Sequence, residues 1–189
     1  MEAKDWIALG AVLATAGGWG VGYVINSNQN RRLERMKTAV KHLESQLQEL
    51  YGPLAFLIWE SERSWKDLFD TLSVVRGGPQ QSVFPFQNES ELELWLFWVD
   101  NDILPRNEKI RELLMSKTHL IDGGSMHWSY MEFLDFSNSW KINHLRWKKQ
   151  GIEYSWGSKI EYPHDFDRDV LGTFASLKEK YEKFLAKLR

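Results

Sequence analysis

Apolar residues return along this chain at steps of three and four and never alternate over the length of a strand, so the pattern predicts helices throughout. From Trp6 to Ile25 the run carries no charge, and about twenty helical residues at roughly 1.5 Å each match a bilayer core of about 30 Å. Beyond it, Leu33, Met36, Val40, Leu43, Leu47, Leu50 and Leu54 form a heptad seam. A seam of about three heptads serves an internal bundle as well as a coiled coil between chains.

"YGPL" at 51–54 is expected to bend or restart the helix, because proline lacks a backbone donor yet suits a first turn. A second helix is predicted from Leu54 to Val75, with Phe56, Trp59 and Leu68 among its apolar residues. "RGGPQQSVFPFQNES" reads as a loop, with Ser90 or Asn88 capping the helix "ELELWLFWVDNDIL". Pro105 is expected to begin another helix, which "DGGS" at 122–125 ends or interrupts. Trp128, Met131, Leu134 and Leu145 mark a helix over 127–149. A last helix carries the stripe Val170, Phe174, Leu177, Tyr181, Phe184 and Leu188.

The expected fold is all-α, with one N-terminal transmembrane helix continuing into a cytoplasmic helical bundle. Its parts are a span at 6–25, a juxtamembrane heptad helix at 26–50 and an α-helical domain at 51–189. After the span, Arg31, Arg32, Arg35, Lys37 and Lys41 outweigh Glu34, whereas Lys4 is the one cation before it. The positive-inside rule then puts the N-terminus outside a bacterial inner membrane and the C-terminal domain in the cytoplasm. A cleaved signal fits poorly, since "MEAKD" lacks a net positive charge and "ATA" at 14–16 would leave a very short apolar core.

Five glycines between residues 10 and 22 make a wasteful plain anchor. In lipid, helices associate by close packing, and Gly10, Ala14, Gly18 and Gly22 share one stripe where backbones can approach. The same stripe, joined to Leu33, Met36, Val40, Leu43, Leu47 and Leu50, is the candidate surface for assembly with copies of the chain. A weak anchor with incidental glycines is the competing reading.

The formal charge of −2 over 189 residues argues against a protein that coats nucleic acid. The lack of cysteine excludes disulfides, thiolate metal sites and a cysteine nucleophile. His42, His119, His127, His144 and His164 form no paired zinc motif, so no metal or other cofactor is expected. An Arg–His ribonuclease pair is matched only formally by Arg35 and His42, inside the basic heptads, and no catalytic residue is assigned. "LPRNEKIRELLMSKTHLIDGG" stands out for polar richness. There Arg106, Asn107, Lys109, Arg111 and His119 are candidates for a polar interface, against the alternative of a solvated helix face. "KINHLRWKK" at 141–149 interleaves cations with Trp147, enough for an RNA or phosphate contact, although a solvated helix end explains it better.

Through "ELYGPL", "NEKIRELLMSKTHLI", "MEFLDF" and "LKEKYEKFL", the chain resembles a group of bacterial membrane proteins with one N-terminal helix and no established activity. In architecture alone it is similar to the accessory transmembrane proteins of type VI-B CRISPR systems, which form oligomeric pores in antiviral defence. That resemblance implies a ring of protomers with the spans about an axis, contacts with lipid, and a pore or membrane-perturbing role. The alternative is a membrane-tethered module whose helical domain binds a cytoplasmic protein partner.

Overall fold

The computed structural model describes residues 26–79 and 82–188, and within them every regular element is helical. The predicted span at 6–25, with Gly10, Ala14, Gly18 and Gly22, lies outside the described residues. Among the described residues, no helix is long and apolar enough to cross a membrane.

Helix α1, described over 26–45, does not stop at "YGPL". It passes through a π turn, Gln46–Tyr51, into α2, Gly52–Arg76, with Ser45, Tyr51 and Gly52 all right-handed helical. The proline that should break the rod is absorbed by the wider turn, since Pro53 falls in the first turn of α2, where its missing donor costs little. Gly52 donates its N–H to the Leu47 carbonyl, and a Cβ there would sit 2.5 Å from that oxygen. Only glycine lets the two backbones come this close.

The same arrangement recurs downstream. Helix α3, Glu89–Trp98, runs through a π turn, Val99–Ile103, into α4, Leu104–Ser116, with Pro105 at its start. Asn88 rather than Ser90 is the cap, its Oδ1 accepting from the Glu91 N–H at 3.0 Å. Along this second rod Glu91, Trp95, Val99, Ile103 and Asn107 are all buried at a strict spacing of four. In an unbroken α-helix that spacing would drift by about 160° over the stretch, because four residues overshoot a turn by about 40°. The wide turn at Val99–Ile103 is underwound and takes back part of the drift.

Short 3₁₀ turns, Thr118–Leu120 and Asp122–Gly124, lead to α5, Trp128–Gln150; a loop over 151–163 then returns the chain to α6, His164–Leu188. Helix α2 packs on α4 and α6, and α5 packs on the same two, which closes a four-membered ring around one core. The α6 stripe behaves as its spacing predicts, with Val170 and Leu177 fully buried and Phe174, Tyr181 and Phe184 packed against the core. In α5 the spacing misleads. Trp128, Met131 and Leu145 are exposed, and the buried face is Tyr130, Phe133, Phe136 and Trp140. Phe133 stacks on Phe166 of α6 at 4.3 Å between centroids, so it is the partner helix that selects which apolar stripe turns inward.

The core also starts earlier than the boundary at residue 51. Leu43 and Leu50 are buried within the bundle and Leu47 packs against it, whereas Leu33 is exposed and Met36 and Val40 are half-buried outside the core. The heptad seam therefore divides, its lower part built into the core and its upper part outside it.

Candidate functional site

Five helices, α2 to α6, contribute to a cavity of about 390 Å³. Its walls are aromatic. Trp95 of α3 stacks on Trp140 of α5 at 6.0 Å and 18°, and Trp65 of α2 tilts against Trp95 at 5.8 Å. Phe136 meets Trp140 edge-on at 5.8 Å and Tyr162 at 5.2 Å, carrying the wall round to the loop before α6. The Trp95 indole is fixed by donating from Nε1 to the Trp156 carbonyl at 2.8 Å, and Trp156 holds a left-handed φ of 63° to present it.

One wall belongs to the loop between α2 and α3. Arg76, the last residue of α2, reaches the carbonyls of Ser82 at 2.9 Å, Val83 at 2.8 Å and Pro85 at 3.1 Å, and pairs with Glu91 at 2.8 Å. Both side chains of the pair are almost wholly buried. Glu91 in turn accepts from the Gln87 N–H at 2.8 Å, so one guanidinium ties the loop to the start of α3 and holds Phe84 against Trp95 at 5.4 Å.

The polar lining comes from three helices. Arg106 and Asn107 of α4 are 4% and 7% exposed. Arg106 gives Nη1 to both carboxylate oxygens of Asp102, at 2.6 and 2.8 Å, and the Ser64 hydroxyl also donates to that carboxylate. Asn107 Nδ2 is buried without a hydrogen-bond partner, an uncommon state that costs stability unless something meets it. Glu62 of α2 and Asp167 of α6 complete the lining. Tyr162 donates its hydroxyl to Asp167 Oδ1. Burial pushes the Asp167 carboxyl above its ordinary pKa; the Tyr162 hydrogen bond opposes this, and the negative Glu62 adds to it.

That shift fixes the sign of a pH effect. A carboxyl that holds its proton more tightly in the folded state favours folding below the unfolded pKa of about 3.9, and that contribution is lost as pH rises through the folded value. The groups acting on it are Glu62 on α2 and Tyr162 in the preceding loop. Asp167→Asn keeps an oxygen for Tyr162 and removes the charge. Its melting temperature should exceed that of the native chain at pH 7, with the gap closing towards pH 4; a constant gap, or a variant less stable at pH 7, would contradict the assignment.

Of the polar residues singled out in "LPRNEKIRELLMSKTHLI", the structure brings Arg106 and Asn107 together in the cavity and leaves the other three outside. Lys109 and His119 are exposed, and Arg111 is engaged with Glu108 at 2.8 Å on the surface of α4. Within "KINHLRWKK", Lys141 pairs with Glu108 at 2.7 Å and Lys148 with Asp100 at 2.6 Å. His144 is buried between Tyr154, 2.6 Å from Nδ1, and Asp100, 2.8 Å from Nε2. Burial works against the Asp100 charge, yet Lys148 and His144 hold its pKa below the ordinary value. Lys148 and His144 thus join the second π turn to α5, and Lys141 joins α4 to α5. Arg35 and His42 are both exposed on α1, and no cluster of three or more metal-ligating side chains occurs among the described residues.

Spacing alone does not single out Glu62 and Asp167, although each carries a signal. Glu62 lies between Ile58 and Trp65 at steps of four and three, and Asp167 extends the stripe of Val170 and Phe174 one step upstream. A carboxylate in register with a buried face is either paired or functional. No protein-family model, curated protein or solved structure matches the chain.

Proposed function

We propose that the chain is a single-span protein of a bacterial inner membrane, with its helical bundle in the cytoplasm, that assembles with copies of itself into a pore or membrane-perturbing effector. The observation that carries this reading is the divided seam. Leu43, Leu47 and Leu50 are used by the bundle, whereas on the helix that follows the apolar run 7–25 Leu33 is exposed and Met36 and Val40 are half-buried, and among the described residues none of the three belongs to the core. In sequence, the stripe Gly10, Ala14, Gly18 and Gly22 lies immediately upstream, so a second copy in parallel would meet small residues in lipid and the upper seam below it. An antiviral role rests on architectural resemblance alone and is the finer part of the proposal.

A second reading has its own support. Phe56 is 62% exposed beside Pro53 and Leu113 in a shallow groove between α2 and α4, which suits a protein partner of a tethered monomer. The two readings separate on the mass of the full-length protein in nanodiscs. For assembly, the native chain should give a discrete oligomer, and Gly18→Leu should shift the population to monomer by steric conflict at the helix crossing. A monomer unaffected by Gly18→Leu would remove the assembly reading and leave the groove.

A further inference from the structure

The cavity has an unbalanced set of charges. Glu62 and Asp167 line it directly, and Asp102 stands behind Arg106, so three carboxylates face one guanidinium. That guanidinium is already discharged onto Asp102 by two short hydrogen bonds. Among the described residues neither Glu62 nor Asp167 forms an ion pair, and the hydroxyl of Tyr162 is the one hydrogen-bond donor that reaches Asp167. Two carboxylates within range of each other, one of them half-buried in an aromatic box, leave a place for positive charge.

We propose that this cavity binds an organic ammonium cation with an apolar or aromatic body, its charge held by Glu62 and Asp167 and its body laid against the indole and phenyl walls. The faces of Trp, Tyr and Phe carry negative potential and attract a cation within about 6 Å of their centroids. Trp65, Trp95, Phe136 and Tyr162 supply such rings on several sides. The carboxylates alone would make only an acidic patch; Asn107 is the independent observation. The residue is 7% exposed and its Nδ2 is buried with no partner. An amide turned by 180° exchanges its nitrogen and oxygen, so the same side chain offers a carbonyl to an ammonium N–H. A cation entering here would also satisfy the pull on Asp167, whose affinity for a proton is raised by burial and by Glu62.

Other ligand classes fit less well. An anion would meet two unpaired carboxylates, and the charge of the one guanidinium in reach is already balanced by Asp102. A purely apolar molecule would leave those carboxylates and the Asn107 amide unanswered. The cavity volume of about 390 Å³ lies within the range of small-molecule sites. Entry is from the side of Glu62 and Phe84, both exposed, towards a floor formed by the buried Asn107 and Trp95. The proposal stands apart from the membrane and assembly reading, since it concerns the interior of one bundle.

The test uses the full chain in nanodiscs of zwitterionic lipid, so that the bilayer itself does not collect cations. Benzylammonium, benzyl alcohol and benzoate share one ring and differ in charge; their binding is followed by calorimetry and by the fluorescence of the wall tryptophans. Benzylammonium should bind saturably at one site per chain, benzyl alcohol about tenfold or more weakly, and benzoate not at all. Glu62→Gln should raise the dissociation constant for benzylammonium about tenfold, the scale of one charge-assisted contact. Because Glu62 is exposed, this variant should melt like the native chain, which keeps loss of binding distinct from loss of fold. Equal binding of the amine and the alcohol, an unchanged constant in folded Glu62→Gln, tighter binding of benzoate, or no saturable binding of the amine would each overturn the proposal.

Discussion

Replacing Trp95 with alanine is expected to remove about 3–5 kcal/mol of folding stability, the range for deleting a large buried aromatic side chain. The residue is 1% exposed and sits where four supports meet: Trp140 stacks on it, Trp65 and Phe84 lean against it, and the Trp156 carbonyl accepts from its indole. Alanine would merge the vacated volume with the neighbouring cavity and strand that carbonyl, so little of the loss could be recovered by collapse. Against a total stability of about 5–15 kcal/mol, the variant should melt roughly 10 °C lower or fail to fold. Phe97→Ala, two residues away and 61% exposed, is the control and should change stability by no more than about 0.5 kcal/mol. Comparable losses in the two variants, measured by thermal melts of the full chain, would show that Trp95 is not the keystone its contacts suggest.

The second large effect is a reversal of sign. Alanine normally stabilises a helix by about 0.5–1 kcal/mol over glycine, and Gly172, helical, exposed and with open space at its Cβ, should follow that rule. Gly52 has ordinary helical torsions too, yet its Cβ would lie 2.5 Å from the Leu47 carbonyl oxygen, which belongs to the backbone and cannot swing aside. Gly52→Ala should therefore destabilise by about 1–3 kcal/mol, because the π turn must open to admit a methyl group. Urea unfolding of the two variants side by side checks the pair. Stabilisation by both would mean that the wide turn is dispensable and that Pro53 can be accommodated in another way.

These expectations bear on how far the chain could be read before folding. Helical periodicity was sound wherever one apolar stripe was unambiguous, as in α6, because burial rewards a single face and the spacing of Val170, Phe174 and Leu177 names it. It failed in α5, where two stripes overlap. Trp128 and Met131 are as apolar as Tyr130 and Phe133, and the choice depends on Phe166 and Tyr162, which approach from another part of the chain. In the sequence the prolines mark boundaries, because a missing donor and a ring clash are local facts. Whether the helix ends or widens is decided by what lies on its far side, and in both rods continuous burial favours widening.

The candidate site divides in the same manner. The polar richness around Arg106 is visible in sequence, but not that Arg106 and Asn107 turn inward while Lys109, Arg111 and His119 turn out, since that depends on helical phase after the π turn. Glu62 and Asp167 are remote in the chain and meet only when α2 packs on α6. By itself the sequence determined the all-α class, the apolar run with its small-residue stripe, the basic flank and the positions of most helices, because these follow from nearest-neighbour chemistry and from which side chains shun water. Only the tertiary structure decided that the rods run through their prolines, which face of α5 is buried, how the heptad seam divides and where the carboxylates converge. Each of those outcomes is set by contacts between distant segments, and short-range periodicity carries no record of them.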